Sequence, residues 1–263
     1  MNEHCKQNKD AALHNSCASG ASWHDNQRLY HATSPLRRQN QRFCLDVPRR
    51  HELCNDTLID FYGRKFVITP DVLIPRPETE QMVDMVLNLV GKPYLPGVKP
   101  AEAVLPDDLT ILDVGTGSGC IAEALKLELP KARVVASDVS KKALAVAREN
   151  AKRLSADVEF VQANLMDGIN VQPDIVVANL PYVDKNWDWI DKEALSKEPE
   201  LALYAEDGGL KLIKQLINQI IEREIKHLIL EADPCQHERI AKYAEQKGLT
   251  LSETRGFILY FTF

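Results

Sequence analysis

The sequence predicts an α/β fold: a doubly wound, mostly parallel sheet of seven strands, preceded by a hairpin and a poorly structured N-terminal arm. Three observations predict it. From Leu109 onward, short apolar β-branched runs alternate with longer stretches whose apolar residues recur at helical spacing. A glycine-rich turn, Asp113-Val-Gly-Thr-Gly-Ser-Gly119, joins the first of these strands to the first helix. The last two strands, about 249–253 and 256–262, are separated by only a short turn, which makes them antiparallel neighbours.

Each element has its own signal. Residues 1–57 are rich in Asn, Gln, His, Arg and Ser and show neither a helical nor an alternating apolar pattern, so they are expected to carry little core. Order is expected from Leu58, with residues 60–69 forming a hairpin around Gly63-Arg64. The prolines of Pro70-Asp-Val-Leu-Ile-Pro-Arg-Pro77 hold that segment extended. Thr79 is placed to cap a helix from Glu80 to Val90, whose Met82, Val83, Val86, Leu87 and Val90 share one face. Residues 91–108, with four prolines and two glycines, read as a loop. The chain thus divides into an arm (1–57), a hairpin, helix and linker (58–108) and a main domain (109–263).

Within the main domain, strands are expected at Thr110–Val114, Arg133–Ser137, Val158–Val161, Asp174–Ala178 and His227–Glu231, besides the final pair. Helices are expected at about 120–129, from a Ser140 cap to Leu154, at about 209–224, and near 235–247.

Composition narrows the function classes. The 263 residues include 44% hydrophobic residues, enough to bury a core. Net charge is −6, with residues 1–57 carrying +2 and the remainder −8. An acidic body argues against holding nucleic acid through a broad basic surface. No stretch approaches the ~20 apolar residues of a membrane span, and the N-terminus lacks a signal-peptide core. The expected location is the cytoplasm. The cysteines (5, 17, 44, 54, 120 and 235) contain no C-x-x-C pair, so scattered thiols are expected and no metal site. Lys141, Lys142, Arg148, Lys152 and Arg153 read as a solvated helix face, and His227 as structural.

Two constellations carry chemistry. The first is the glycine turn with Asp138, which ends the next strand. Gly115, Gly117 and Gly119, with Thr116 and Ser118, let the backbone approach a ligand, and Asp138 is placed to accept the hydroxyls of an adenosine ribose. The spacing is G-x-G-x-G with Cys120 where a dinucleotide site would carry its third glycine. Asp113 before the loop would repel a pyrophosphate but suits a cation, so S-adenosylmethionine fits better than NAD. The second is Asn179-Leu180-Pro181-Tyr182, which follows a strand and so falls on the ligand-binding edge of such a sheet. An amide or exocyclic amine nitrogen is a poor nucleophile because its lone pair is delocalised. The Asn179 side-chain oxygen and the Leu180 carbonyl are two acceptors for its N–H groups, Pro181 helps aim that carbonyl, and Tyr182 can pack on a planar group.

With these residues in view, the sequence resembles the protein N5-glutamine methyltransferases that modify peptide-release factors. The matches are Phe61-Tyr-Gly, Thr69 to Glu80, Asp113 to Ala122, Asp138-Val-Ser140, Asn179-x-Pro-Tyr182, Glu198-Pro-x-Leu-Ala-Leu203 and Leu230-Glu231, in family order over about 58–263. The run Ile74-Pro-Arg-Pro-Glu-Thr-Glu80 is the most specific. The resemblance implies a Rossmann-like methyltransferase fold and S-adenosylmethionine as cofactor. It implies transfer of its methyl to the side-chain nitrogen of the Gly-Gly-Gln glutamine of a release factor; a monomer is expected. Gly115 to Gly119 would wrap the methionine part, Asp138 the ribose, and Asn179 to Tyr182 the glutamine amide. Asn164 and Leu165 stand where the family flanks adenine with an Asp-Trp or similar pair. The family tetrapeptide usually has Pro where this chain has Leu180, and Asn-Leu-Pro-Tyr also occurs in ribosomal-RNA adenine N6-dimethyltransferases. Adenine N6-methylation of RNA or DNA is therefore the alternative reading, against which stand the Ile74–Glu80 run and the acidic body. Residues 1–57 do not resemble the family's N-terminal docking domain. Trp187 and Trp189 could cover a substrate pocket or anchor a loop, and Arg76 and Glu78 could orient a substrate or pair with each other.

Overall fold

The strands of the main domain assemble in the order β5-β4-β3-β6-β7-β9-β8 in a computed structural model that describes residues 57–92, 105–188, 190, 195–196 and 198–263. They are β3 (Thr110–Val114), β4 (Arg133–Asp138), β5 (Glu159–Gln162), β6 (Ile175–Ala178), β7 (His227–Glu231), β8 (Thr250–Arg255) and β9 (Ile258–Thr262). β5, β4, β3, β6 and β7 are parallel, and β9 pairs antiparallel with both β7 and β8. The expected mostly parallel seven-stranded sheet with a terminal antiparallel pair is thus observed. The hairpin is β1 (Thr57–Phe61) and β2 (Arg64–Ile68); it starts three residues before the expected 60–69 and ends one before it, and its turn is at Tyr62-Gly63, one residue before the expected Gly63-Arg64. Tyr62 takes the left-handed backbone there at φ 49°, and its amide is held by the buried Glu80 carboxylate at 2.7 Å.

Helices cover both faces because strand side chains alternate with period two. Ile111, Ile175, Val177 and Ile229 face one core, shared with α1 (Glu80–Leu89), α2 (Cys120–Glu128) and α3 (Lys141–Leu154). Leu112, Val176, Leu228 and Leu230 face the other, shared with α5 (Lys211–Glu222) and α6 (His237–Gln246). A short α4 (Glu200–Leu203) lies between β6 and α5. Phe61 and Phe66 of the hairpin and Met82 of α1 join the first core, so residues 57–92 pack as part of the same body as the sheet. Asn150 of α3 strengthens this join. Its fully buried amide bonds both the N–H and the C=O of Val67 on β2, and also the Ser118 carbonyl of the glycine turn.

Several local expectations need correction. Thr79 does not cap α1: it has helical dihedrals, ends a 3₁₀ turn over Pro77–Thr79, and makes no capping bond. Its hydroxyl is used elsewhere. Ser140 does cap α3, accepting from the Ala143 amide at 3.2 Å. Arg76 pairs with Glu198 rather than Glu78. The Lys141, Lys142, Arg148, Lys152 and Arg153 face is exposed, and His227 bonds the Tyr260 hydroxyl through Nδ1 at 2.8 Å. The first four cysteines and Trp189 lie outside the described residues. No helix among the described residues is long and apolar enough to cross a membrane.

Candidate active site

Strand order places the chemistry. After β3 the chain winds outward through β4 and β5, then returns to lay β6 on the other side of β3. The loops after β3 and β6 therefore diverge to opposite faces and leave a crevice at their carboxyl ends. The register sets the residues side by side: Val114 is opposite Ser137, Asp113 opposite Val177, and Ala178 opposite Leu230. Across neighbouring strands about 4.8 Å apart, the edge reads Asp138, Gly115, Asn179, Glu231.

This crevice is a cleft of about 250 Å³. Gly115, Thr116, Gly117, Ser118, Asp138, Leu165, Asn179, Leu180 and Pro181 line it. Asp113, Gly119 and Tyr182 do not reach the wall and sit just behind it. Among the described residues that line the cleft, Asp138 is the one charged side chain. Most of the remaining lining is apolar, including Val139, which is 48% exposed, and Leu201, 62% exposed, at the mouth. Such a wall suits a planar apolar group and offers no cation to a polyphosphate.

The glycine turn is held from three sides. The Gly115 and Thr116 amides donate to the Ser137 carbonyl at 2.8 and 2.9 Å, and the Gly117 amide donates to Asp138 Oδ2 at 2.9 Å. Asp138 Oδ1 accepts from the Ser140 amide at 2.8 Å. Gly115 has φ 78°, and a Cβ there would lie 3.0 Å from Leu180 Cδ2, so the glycine also makes room for the unusual second residue of the tetrapeptide. A Cβ on Gly117 would meet nothing within 4 Å. Leu165, at φ 52°, is turned into the cleft wall with its carbonyl accepting from the Ser137 hydroxyl at 3.2 Å.

Beneath the turn lies an acidic layer. Asp113 is fully buried; Oδ2 accepts from the Thr116 hydroxyl at 2.7 Å. Its Oδ1 has no partner of hydrogen-bond geometry among the described residues, the Ala122 amide acting on the carboxyl only weakly. Burial pushes its pKa up to about 7; the Asp138 charge adds to this and the Thr116 bond opposes it. Glu123 of α2 lies against Gly119, fully buried, with no hydrogen-bond partner on either oxygen among the described residues. Burial and then the Asp113 charge raise it to about 10, so it is a neutral acid at pH 7.

The tetrapeptide is anchored from behind. Asn179 Nδ2 donates to Thr79 Oγ1 at 3.3 Å, and that hydroxyl donates to Glu231 Oε2 at 2.6 Å. The Tyr182 hydroxyl donates to Glu231 Oε1 at 3.3 Å, and its ring packs into the second core. Burial, with the Glu231 and Asp233 charges, raises the phenol well above its ordinary pKa, so it remains a donor. The Tyr182 carbonyl accepts from Gln236, which also bonds Gly208 and closes a capping box with Asp233. At Gly209, φ 83°, a side chain would collide with this carbonyl. Finally, Glu198 accepts from the Ile74 amide at 2.9 Å and pairs with Arg76, tying the Ile74–Glu80 run to the segment entering α4.

The motifs contain Thr79, Glu198 and Glu231, but the bonds these side chains make are not legible in them. Glu231 carried a legible signal, since it is an acid at the carboxyl end of a strand, the same signal that singled out Asp138. Thr79 did not, because a threonine before an apolar periodic run reads first as a cap.

Comparison with known proteins agrees with the geometry. The family described as "Methyltransferase small domain" matches residues 102–214. The release factor glutamine methyltransferase of Enterococcus faecalis is 34% identical over 218 residues, 79% of this chain and 73% of that protein. Proteins of the same name from Koribacter versatilis and Neisseria gonorrhoeae are each 41% identical, over 62% and 60% of this chain and 55% and 53% of theirs. The match thus spans about half the length of these last two relatives. Among solved structures, a methyltransferase from Pyrococcus furiosus aligns with TM-score 0.55 at 15% identity, covering 76% of this chain and 89% of that one. The T. thermophilus 16S rRNA N2 G1207 methyltransferase, in complex with AdoMet and guanosine, aligns with TM-score 0.56 at 13% identity, covering 83% and 52%. These two share the fold.

Proposed function

The chain belongs to the release factor glutamine methyltransferase family, and we propose that it transfers a methyl group from S-adenosylmethionine to the side-chain amide nitrogen of the Gly-Gly-Gln glutamine in a peptide chain release factor. The observation that carries this reading is the hydrogen bond between Thr79 and Asn179. It brings the family's most specific run, Ile74–Glu80, into contact with the tetrapeptide at the cleft, so the two motifs form one site.

The cleft suits the cofactor. Each Asp138 oxygen already holds one amide and keeps a lone pair for a ribose hydroxyl. Val139 and Leu165 offer apolar surfaces for an adenine, and the open space over Gly117 admits the methionine part. Asp113, behind the turn, favours positive charge near it when ionised. S-adenosylmethionine supplies a methyl on a cationic sulfur that leaves as a neutral thioether.

This chain's residues hold and orient the nucleophile. Asn179 Oδ1 and the Leu180 carbonyl accept the two N–H groups of the glutamine amide, which localises the nitrogen lone pair towards the methyl. The Leu180 side chain is buried against Gly115, so its carbonyl is fixed although the family's proline is absent. The glutamine nitrogen that takes this methyl would then shed its extra proton to water. No strong base is needed, because the methylated nitrogen is acidic before that loss. Alignment and two preorganised acceptors carry the rate. The same reading sets the protein, as a monomer, in the cytoplasm with the translation apparatus.

The test is label transfer from S-adenosylmethionine to a release factor, offered in parallel with RNA. Transfer to the release factor is expected, with kcat lowered by on the order of 10²-fold or more in Asn179→Ala. Labelled adenine in RNA would support the alternative instead.

A further inference from the structure

Thr79 and Glu231 form a hydrogen-bond relay that runs towards the Glu231 carboxylate, and we propose that they are positioning residues that set which way round the Asn179 carboxamide sits. The inference rests on Asn179 Oδ1 being the acceptor for the substrate amide. A carboxamide can sit two ways, related by a half-turn, with its oxygen and its NH₂ exchanged. Only one of them points an acceptor at the substrate. Something in the protein has to select it.

The selection starts at Glu231. Both of its oxygens accept, Oε2 from the Thr79 hydroxyl and Oε1 from the Tyr182 hydroxyl, as an ionised carboxylate does; burial raises the group to about 7, so the relay is read above that, at pH 8. Thr79 has a single hydroxyl proton, and the 2.6 Å contact with Oε2 commits it to Glu231. The Thr79 oxygen then turns only lone pairs towards Asn179, 3.3 Å away. Facing it with Nδ2 makes a hydrogen bond; facing it with Oδ1 would set two lone-pair-bearing oxygens against each other in a buried site. Thr79 is 1% exposed and Glu231 2%, so water does not rescue the wrong orientation. Nδ2 inward means Oδ1 outward, to the cleft that Asn179 lines. The Tyr182 hydroxyl donates to the other Glu231 oxygen, which fixes the carboxylate plane and links both ends of the tetrapeptide to one residue. Glu231 does not line the cleft. Its part is exerted through Thr79 and on the Asn179 side chain directly, which also acts as a donor to the Glu231 carboxyl and favours the same orientation.

The experiment compares the full chain with Thr79→Val, Thr79→Ser and Glu231→Gln. Three quantities are read: the ¹⁵N–¹H resonances of the Asn179 side-chain NH₂, the cofactor Kd by calorimetry, and kcat for methyl transfer to a release factor. Valine keeps the shape of threonine without the hydroxyl. Thr79→Val is expected to lose the shifted, slowly exchanging NH₂ signal and to lower kcat by roughly 10- to 100-fold, with cofactor Kd unchanged within about twofold. Thr79→Ser restores the hydroxyl and is expected to recover both signal and kcat. Glu231→Gln can donate to Thr79 as well as accept, so the relay loses its direction and kcat falls. The proposal is overturned if Thr79→Val matches the parent protein in kcat or in the Asn179 signal, or if Thr79→Ser is as poor as Thr79→Val. Should Thr79→Val fail to fold, Glu231→Gln with the parent's signal and kcat overturns it equally. A parent protein that methylates no release factor, yet whose Asn179 signal still depends on Thr79, overturns the functional reading and leaves the relay standing.

Discussion

At the scale of single residues, the cleft depends on side chains that are absent as much as on those present. Gly115 and Gly117 look equivalent in the sequence, yet a Cβ at Gly115 presses on Leu180, and one at Gly117 meets nothing. Both have positive φ. Alanine at either is expected to cost about 1–2 kcal/mol of backbone strain. Gly115→Ala should in addition displace Leu180 and weaken cofactor binding more than Gly117→Ala, measured by calorimetry. The reverse order would contradict the packing described. This inequality was not legible in the sequence, because it depends on β6 being the lateral neighbour of β3. Asp138 was legible, since an acid ending the second strand of a glycine-turn unit has few other uses. Thr79 was read as a cap because local signals count only neighbours in sequence, whereas its partners lie 100 and 152 residues away.

At the scale of elements, the helices and strands themselves were legible because their apolar periods are clean: Thr110–Val114 and His227–Glu231 match the expected strands at both ends. What joins the elements was not. The hairpin is bound to the cofactor turn through one side chain, Asn150, which makes three bonds to main-chain groups of Val67 and Ser118. Asparagine inside a helix carries no signal of this kind. Asn150→Ala leaves those groups unsatisfied in a buried place and is expected to destabilise the fold by roughly 2–4 kcal/mol in denaturant titration. Because Ser118 lines the cleft, cofactor affinity should fall with it. An effect on stability with no change in cofactor Kd would show that the hairpin supports the fold without shaping the site.

At the scale of the whole molecule, the buried acids set a pH dependence. Glu123, Asp113 and Glu231 all have pKa values raised by burial, to about 10, 7 and 7. A raised acid binds its proton more tightly in the folded state, so its stabilisation is complete below the unfolded pKa and is lost as pH rises through the folded one. Asp113 and Glu231 spend theirs by about pH 7. Glu123 continues to about 10, with a slope of at most about 1.4 kcal/mol per pH unit. Glu123→Gln should therefore gain on the parent protein in denaturant stability as pH rises from 7 to 9; parallel curves would show that the carboxyl has a partner after all. The doubly wound topology, which brings these acids beneath one edge of the sheet, follows from alternating strands and helices and was legible from the start.

The proposed acceptor nitrogen is that of a protein glutamine amide, not of an adenine. Mass spectrometry of a release factor after incubation with the chain and S-adenosylmethionine tests it most directly. One added methyl on the side chain of the Gly-Gly-Gln glutamine is expected, absent when Asn179→Ala replaces the parent. An unmodified glutamine, beside methylated adenine in RNA supplied to the same reaction, would contradict it.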